Sequence, residues 1–196
     1  MNRKLLIIDT ETGGLDPSKY SILSLGAVVW EDGELLGEFS VAIAEPEIIT
    51  EPEAMAINKI DIVSHRETAV APADAVKSLL TFLSSKFPNK HPNDRITLCG
   101  HNIIFDVSFM KRLFRMSGSS FEDYFSHRVV DTASIVRFLI LAGLIPIDRA
   151  KSTLAFDFFG VTISPAERHT AIGDARATAR LMSAMLAFVR RSPASR

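Results

Sequence analysis

The chain of 196 residues predicts an α/β fold with helices packed around a mixed central sheet, on three observations. Strand-like apolar segments joined by tight turn signals fill the first 44 residues. Strand and helix patterns alternate from Ile96 onward, and a long helix with one apolar stripe closes the chain. A strand meander followed by this alternation calls for antiparallel strands first and parallel strands after them.

The elements follow in order. Leu5 to Ile8 is an aliphatic run of strand type, and Tyr20 to Trp30 is a second apolar stretch beyond the turn signals Gly13-Gly14 and Asp16-Pro17. Glu31-Asp32-Gly33 suits a hairpin turn, so Leu35 to Ala44 reads as the returning third strand. Pro46 and Pro52 bound the next loop. Residues 52 to 60 and 72 to 86 carry helical spacing, the second through Val76, Leu79, Leu80 and Leu83, before a polar loop from Pro88 to Asp94. Ile96 to Gly100 reads as a buried strand, Ile103 to Met116 as a helix, Val129-Val130 as a short strand and Thr132 to Leu141 as another helix. In the last helix, Ala171 to Arg190, the residues Ile172, Ala175, Ala179, Met182, Leu186 and Val189 fall at steps of three and four. The tail 191–196 is expected to fray.

An apolar content of 47% and a charged content of 23% suit one domain over residues 1–190. Lys plus Arg number 22 against 23 Asp plus Glu, and the net charge of −1 excludes a strongly basic coat for non-specific nucleic-acid binding while leaving room for a local basic groove. Cys99, alone of its type, lies in the apolar run Ile96-Thr97-Leu98-Cys99; packing in a reducing compartment is its expected role. The longest apolar run, Phe138 to Ile147, falls short of the ~20 residues of a membrane span and holds Gly143 and Pro146. Asn2-Arg3-Lys4 is followed by four aliphatic residues and then Asp9, which is no secretory leader. A soluble, cytoplasmic protein that uses no membrane is the expectation.

Several polar residues sit where a core does not want them. Side chains alternate along a strand, so Asp9 and Glu11 share one face with Leu5 and Ile7. Two acids ending a central strand cost desolvation and mutual repulsion unless a cation compensates. The other reading ends the strand at Ile8 and leaves both in a solvated loop. Asp106 shares a helix face with Met110 and Leu113 and so points inward; an acid in a first turn also suits the helix dipole, with Asn102 as a cap. His169 precedes Asp174 by five residues, about 140° apart on a continuous helix, which places His169 on the loop leading into it. Ordinary surface or capping chemistry is the more common account of such a pair. Asp131, just before Thr132, reads as an N-cap rather than a ligand. Lys111, Arg112 and Arg115 on one helix, and Arg176 and Arg180 on another, read as solvated faces more readily than as phosphate contacts. His65, His91, His127 and Trp30 have no companion spacing that carries chemistry.

The strings IIDTETGGLDP, with Asp9 and Glu11, GHNIIFDVSFM, with Asp106, and RHTAIGDARATARL, with His169 and Asp174, occur in this order at domain-sized separations. Together they resemble the DEDDh exonuclease family, of DnaQ type. Weaker similarity in VVDTASIVR and STLAFDFFGVTIS extends the resemblance from about residue 4 to residue 187. It implies a ribonuclease-H-like fold in which Asp9, Glu11, Asp106 and Asp174 converge on two Mg²⁺ ions, with Mn²⁺ as a substitute, at the ~3.5–4 Å separation that suits phosphodiester hydrolysis. By the same resemblance Asp9 bridges both ions, Glu11 and Asp174 complete one site, and Asp106 serves the other through water. His169 takes the proton of the attacking water, and nucleoside 5′-monophosphates leave from the 3′ end.

Thr12-Gly13-Gly14-Leu15 is then a seat for the 3′-terminal nucleotide, since its glycines let a backbone come close; a simple turn between strands is compatible with that role. The family commonly has threonine where Gly13 stands. His101 and Asn102 match the proofreading branch and become supports beside Asp106. The implied substrate is the 3′ end of a single strand, with DNA favoured over RNA because HNIIFDVSFM is closer to that branch. RNA-end trimming or oligoribonuclease-like activity is the alternative within the same chemistry, and an inactive nucleic-acid-binding scaffold is the alternative outside it. Association with a polymerase, as an accessory proofreading subunit, stays a possible role, but with 22 residues after Asp174 no long docking tail is expected to support it. A homodimer, found in parts of the family, has no interface signature here.

Overall fold

Alternation in the first 44 residues becomes three antiparallel strands, β1 (Lys4–Thr12), β2 (Ile22–Glu31) and β3 (Glu34–Ala42). Two short parallel strands, β4 (Leu98–Gly100) and β5 (Val130–Asp131), complete a sheet of order β3-β2-β1-β4-β5, with β1 in the middle. This computed structural model describes residues 4–88 and 94–191. The loop expected over Pro88 to Asp94 is therefore described only at its ends. His91 and the tail 192–196 lie outside the described residues.

β1 does not stop at Ile8. It continues to Thr12, pairing Asp9 with Gly26 and Glu11 with Ser24, so both acids belong to the central strand and the loop reading is excluded. Even-numbered residues of β1, Leu6 and Ile8, face a core built with α3 (Pro72–Lys86) and α4 (Ile104–Met116), which contributes Phe109, Met110 and Leu113. Odd-numbered Leu5 and Ile7 face Ala175 and Ala179 of α7 (Ala171–Arg191), together with Val28, Trp30 and Cys99. A third cluster joins α7 to α5 (Thr132–Leu141) and α6 (Ser152–Phe159) through Val136, Leu139, Phe156, Leu181 and Met185. Cys99 packs as expected, and burial pushes its thiol up to about 12.

Three elements escape the sequence reading: α2 (Ile62–Thr68), α6 and a 3-10 turn, Phe121–Asp123. All are shorter than the window of about 11 residues over which helical periodicity is read. α1 (Pro52–Asn58) ends two residues early because Lys59 turns left-handed at φ 57°. β4 begins at Leu98, while Ile96 makes only an isolated bridge to Phe125. The expected cap of α4 is corrected. Asn102 does not cap; it adopts φ 65°, a conformation asparagine tolerates, and no side chain caps the helix. Instead Asp131 Oδ1 accepts the backbone N–H of Asn102 at 2.7 Å. Asp131 does cap α5, as its position predicts, accepting from Ala133 and Ser134. Among the described residues, no helix is long and apolar enough to cross a membrane.

Candidate active site

Asp9 and Glu11 leave the central strand on its α7 side, continuing the face of Leu5 and Ile7. Gly26, the register partner of Asp9, explains how α7 comes close enough to meet them. A Cβ at Gly26 would lie 2.3 Å from the backbone of Ala171, so only a residue without a side chain lets the first turn of α7 rest on β2. Thr170 fixes that turn: its Oγ1 accepts the N–H of Gly173 at 3.2 Å and donates to Glu167 O at 2.7 Å. Asp174 follows in the first turn, and one carboxylate oxygen from each of Asp9, Glu11 and Asp174 lies within 4.8 Å of the others. His169 stands on the approach to α7, as expected, at φ 62°; its backbone N–H donates to Asp174 Oδ2 at 3.2 Å.

Asp106 arrives from the opposite side of the sheet. Thr10 points toward α4, between the two acids in sequence, and donates to Asp106 Oδ1 through both its N–H at 2.9 Å and its hydroxyl at 2.8 Å. The carboxylate is buried but keeps Oδ2 clear of these bonds. The strand pleat thus sends Asp9 and Glu11 to one side while Thr10 anchors the fourth acid on the other.

The cluster is electrostatically expensive. Burial, then repulsion from Asp106, Asp174 and Glu11, raises Asp9 well above the carboxylate range. Burial with repulsion from Asp174 and Asp106 lifts Glu11 to about 7. Burial lifts Asp106 to about 7 against the opposing bonds from Thr10. One cation offsets this. Arg168 donates through Nη1 to Asp174 Oδ1 at 2.5 Å and through Nη2 to Ser152 Oγ at 3.3 Å, while its guanidinium lies 5.5 Å from the centre of the Phe156 ring. The same charge pulls down the pKa values of Asp9 and Glu11.

The rim is preorganised. After Glu11 the chain turns through Thr12-Gly13-Gly14, all buried, to Leu15, which is 77% exposed. A Cβ at Gly13 would lie 2.3 Å from Ile49 O, which accounts for glycine at a position where the resemblance leads one to expect threonine. Gly13 donates to Ser21 O and accepts from Glu51 N–H, both at 2.7 Å. Asn58, buried at the end of α1, donates to Thr12 O at 3.1 Å and locks the turn from below. His101 borders the site with its ring held between Thr132 Oγ1 at 3.0 Å and Ala150 O at 3.2 Å. Burial lowers its pKa, favouring the neutral ring, in which Nε2 donates to the carbonyl; the Thr132 hydroxyl beside Nδ1 donates its own proton to Gly100 O at 3.0 Å.

The paired basic residues near the site serve the fold. Arg112 donates to both oxygens of Glu45 at 2.9 and 2.6 Å and to Pro17 O at 3.1 Å; Glu45 is 2% exposed and also accepts from Ser21 and Ile22. Arg176 bridges Glu38 and Glu167, Arg180 donates to Thr162 O, and Lys111 pairs with Glu122. Asp131 spends its oxygens on backbone N–H groups and the Ser134 hydroxyl, which fits a cap rather than a ligand. Sequence reasoning missed Arg168, Thr10, Asn58 and Glu45. Arg168 and Thr10 each adjoin a singled-out acid or histidine, but neither residue type announces the long-range contact it makes.

Similarity to known proteins agrees with this geometry. Residues 6–182 match the family model RNase_T, described as exonuclease. Ribonuclease T of Photorhabdus laumondii is 27% identical over 187 residues, covering 92% of this chain and 82% of that protein. The PolC-type DNA polymerase III of Clostridium perfringens is 26% identical over 178 residues; this chain spans 90% of its own length but 11% of the polymerase. The fold superposes on Escherichia coli exonuclease I, solved with single-stranded DNA, at a TM-score of 0.79 and 16% identity, covering 97% of this chain and 42% of that one. The match over residues 6–182 places the chain in the RNase_T exonuclease family, as a DEDDh 3′→5′ exonuclease domain of ribonuclease-H-like fold.

Proposed function

We propose that the protein removes nucleotides from the 3′ end of single-stranded nucleic acid, DNA in preference to RNA, by metal-dependent hydrolysis that releases nucleoside 5′-monophosphates. The observation that carries this reading is the set of converging carboxylates, in which Asp9, Glu11 and Asp106 have raised pKa values despite the partial offset by Arg168. Hard oxygen donors in such a set fit Mg²⁺, with Mn²⁺ as a substitute, and Asp9, Glu11, Asp106 and Asp174 would hold two ions. Bound there, the ions supply charge neutralisation for the attacking and leaving oxygens of the phosphodiester.

The chain's own groups do the rest. The turn Thr12-Gly13-Gly14, braced by Asn58, offers close backbone approach to the terminal nucleotide, and exposed Leu15 offers an apolar surface to its base. His169, on the loop before α7, takes a proton from the attacking water. His101, fixed by Thr132 and Ala150, and Asn102 line one cavity together with Ser152, whose hydroxyl meets Arg168. Hydrolysis of RNA ends is the same chemistry on another sugar.

Digestion of 5′-labelled single-stranded DNA, the matching RNA, duplex DNA and a dinucleotide in parallel with Mg²⁺ tests the proposal. A ladder shortening from the 3′ end of the single strands is expected. Asp9→Ala should lower the rate by at least 10³-fold while keeping the native circular-dichroism spectrum. Parental rates in that variant would refute the metal assignment.

A further inference from the structure

A groove lies between α5 and the segment that enters α6. Its near part, a cavity of about 530 Å³, is bordered by His101, Asn102, Ser134, Arg137, Lys151 and Ser152. Its far part, about 540 Å³, shares Arg137 and Lys151 and adds Ile140 and Leu141. Ser152 joins the groove to the cluster, because its hydroxyl accepts from the same Arg168 that pairs with Asp174. From Ser134 to Leu141 the wall of α5 extends about 10 Å beyond that junction.

Two cations on this wall differ from several basic side chains of the flanking helices. Arg112, Arg176 and Lys111 are each committed to a carboxylate. Among the described residues, the side chains of Arg137 and Lys151 make no hydrogen bond or ion pair. Two acids adjoin the groove. Asp131 is spent on backbone N–H groups and Ser134, and Asp148 faces Arg149 at 3.5 Å. The lining holds three cations, Arg137, Arg149 and Lys151, against the two acids, over an apolar patch in which Leu141 is 81% exposed.

We infer that this groove carries the strand upstream of the 3′-terminal nucleotide, with Arg137 and Lys151 each meeting a backbone phosphate and Leu141 lying under a base. The inference rests on the exonuclease reading above. A strand whose end is seated at the carboxylates must leave over one of the walls, and this one combines continuity with the site, free cations and an apolar surface. A phosphodiester backbone is recognised in this way without regard to base sequence.

The double variant Arg137→Ala/Lys151→Ala tests it against the parent on 5′-labelled dT15 and dT2. Removal of two phosphate contacts should lower the ratio of kcat/KM for dT15 over dT2 at least tenfold. It should also reduce the slope of log affinity for dT15 against log salt by about 1.4, measured by fluorescence anisotropy in EDTA where no turnover consumes the strand. Arg137→Lys/Lys151→Arg, which keeps both charges, should restore both quantities. An equal loss on the two substrates, or an unchanged salt slope, overturns the inference. If the parent digests neither substrate with Mg²⁺ or Mn²⁺, the exonuclease reading itself fails and the groove assignment falls with it.

Discussion

Arg168 shows how one side chain sets the state of the whole cluster. Its guanidinium occupies Asp174 Oδ1 and pulls down the pKa values of Asp9 and Glu11, so it offsets part of the repulsion among three acids. A divalent ion held by the same acids must compete with it for Asp174. Arg168→Ala should therefore bind Mn²⁺ at least threefold more tightly in calorimetric titration. Without metal, the variant should melt about 2–4 °C lower at pH 8, from a loss of about 1 kcal/mol for a half-buried ion pair. Unchanged Mn²⁺ affinity would show that the arginine does not stand in the metal's place. Thr10 acts in the same direction on the fourth acid: its two bonds hold Asp106 in place and favour the charged form, against burial.

At the scale of elements, the site depends on how closely α7 rests on β2. Asp174 belongs to the helix and Asp9 to the strand, and the missing Cβ at Gly26 sets the distance between them. Gly26→Ala should force the first turn of α7 away from the sheet, at a cost of about 1–3 kcal/mol in denaturant unfolding, as overpacking does. Exonuclease activity should fall more than tenfold as Asp174 is displaced from Asp9 and Glu11. Full activity in that variant would mean that α7 adjusts without moving its acid. The pleat of β1 makes the complementary contribution, dividing the odd acids from Thr10 and so letting two helices on opposite faces serve one site.

For the molecule as a whole, an acidic site that is costly when charged ties stability to pH. Glu11 and Asp106, lifted to about 7, hold protons in the folded protein that they release in the unfolded chain above their ordinary values of 4.5 and 3.8. The native state thus binds more protons between roughly pH 4 and 7, and their contribution makes stability fall as pH rises through that window. His101, with its lowered pKa, contributes the opposite slope near the top of the window. Comparison with Glu11→Gln cancels that slope. In EDTA the parent should lose thermal midpoint relative to Glu11→Gln between pH 5 and pH 8, and Mg²⁺ should reverse the loss in the parent by binding the folded state. Parallel curves for the two proteins would show that Glu11 does not titrate in this range.

Much of this was open to a reader of the residues in order. Local patterns bounded by turn signals suffice for the meander, the later alternation and the final helix, because alternation, helical spacing and caps act between near neighbours. The acids and His169 stand out because a charged group beside an apolar run is locally anomalous, and three motifs in order resemble one family. Folding in three dimensions decided what neighbours in sequence cannot: that β1 continues through Asp9 and Glu11, that Asp131 rather than Asn102 governs the start of α4, and that Arg112 belongs to Glu45. It also brought Arg168 onto Asp174 and Thr10 onto Asp106, 96 residues away. Burial and Coulomb forces act through space, so the charge a group meets, and the proton it keeps, depend on neighbours that only the packed chain assembles.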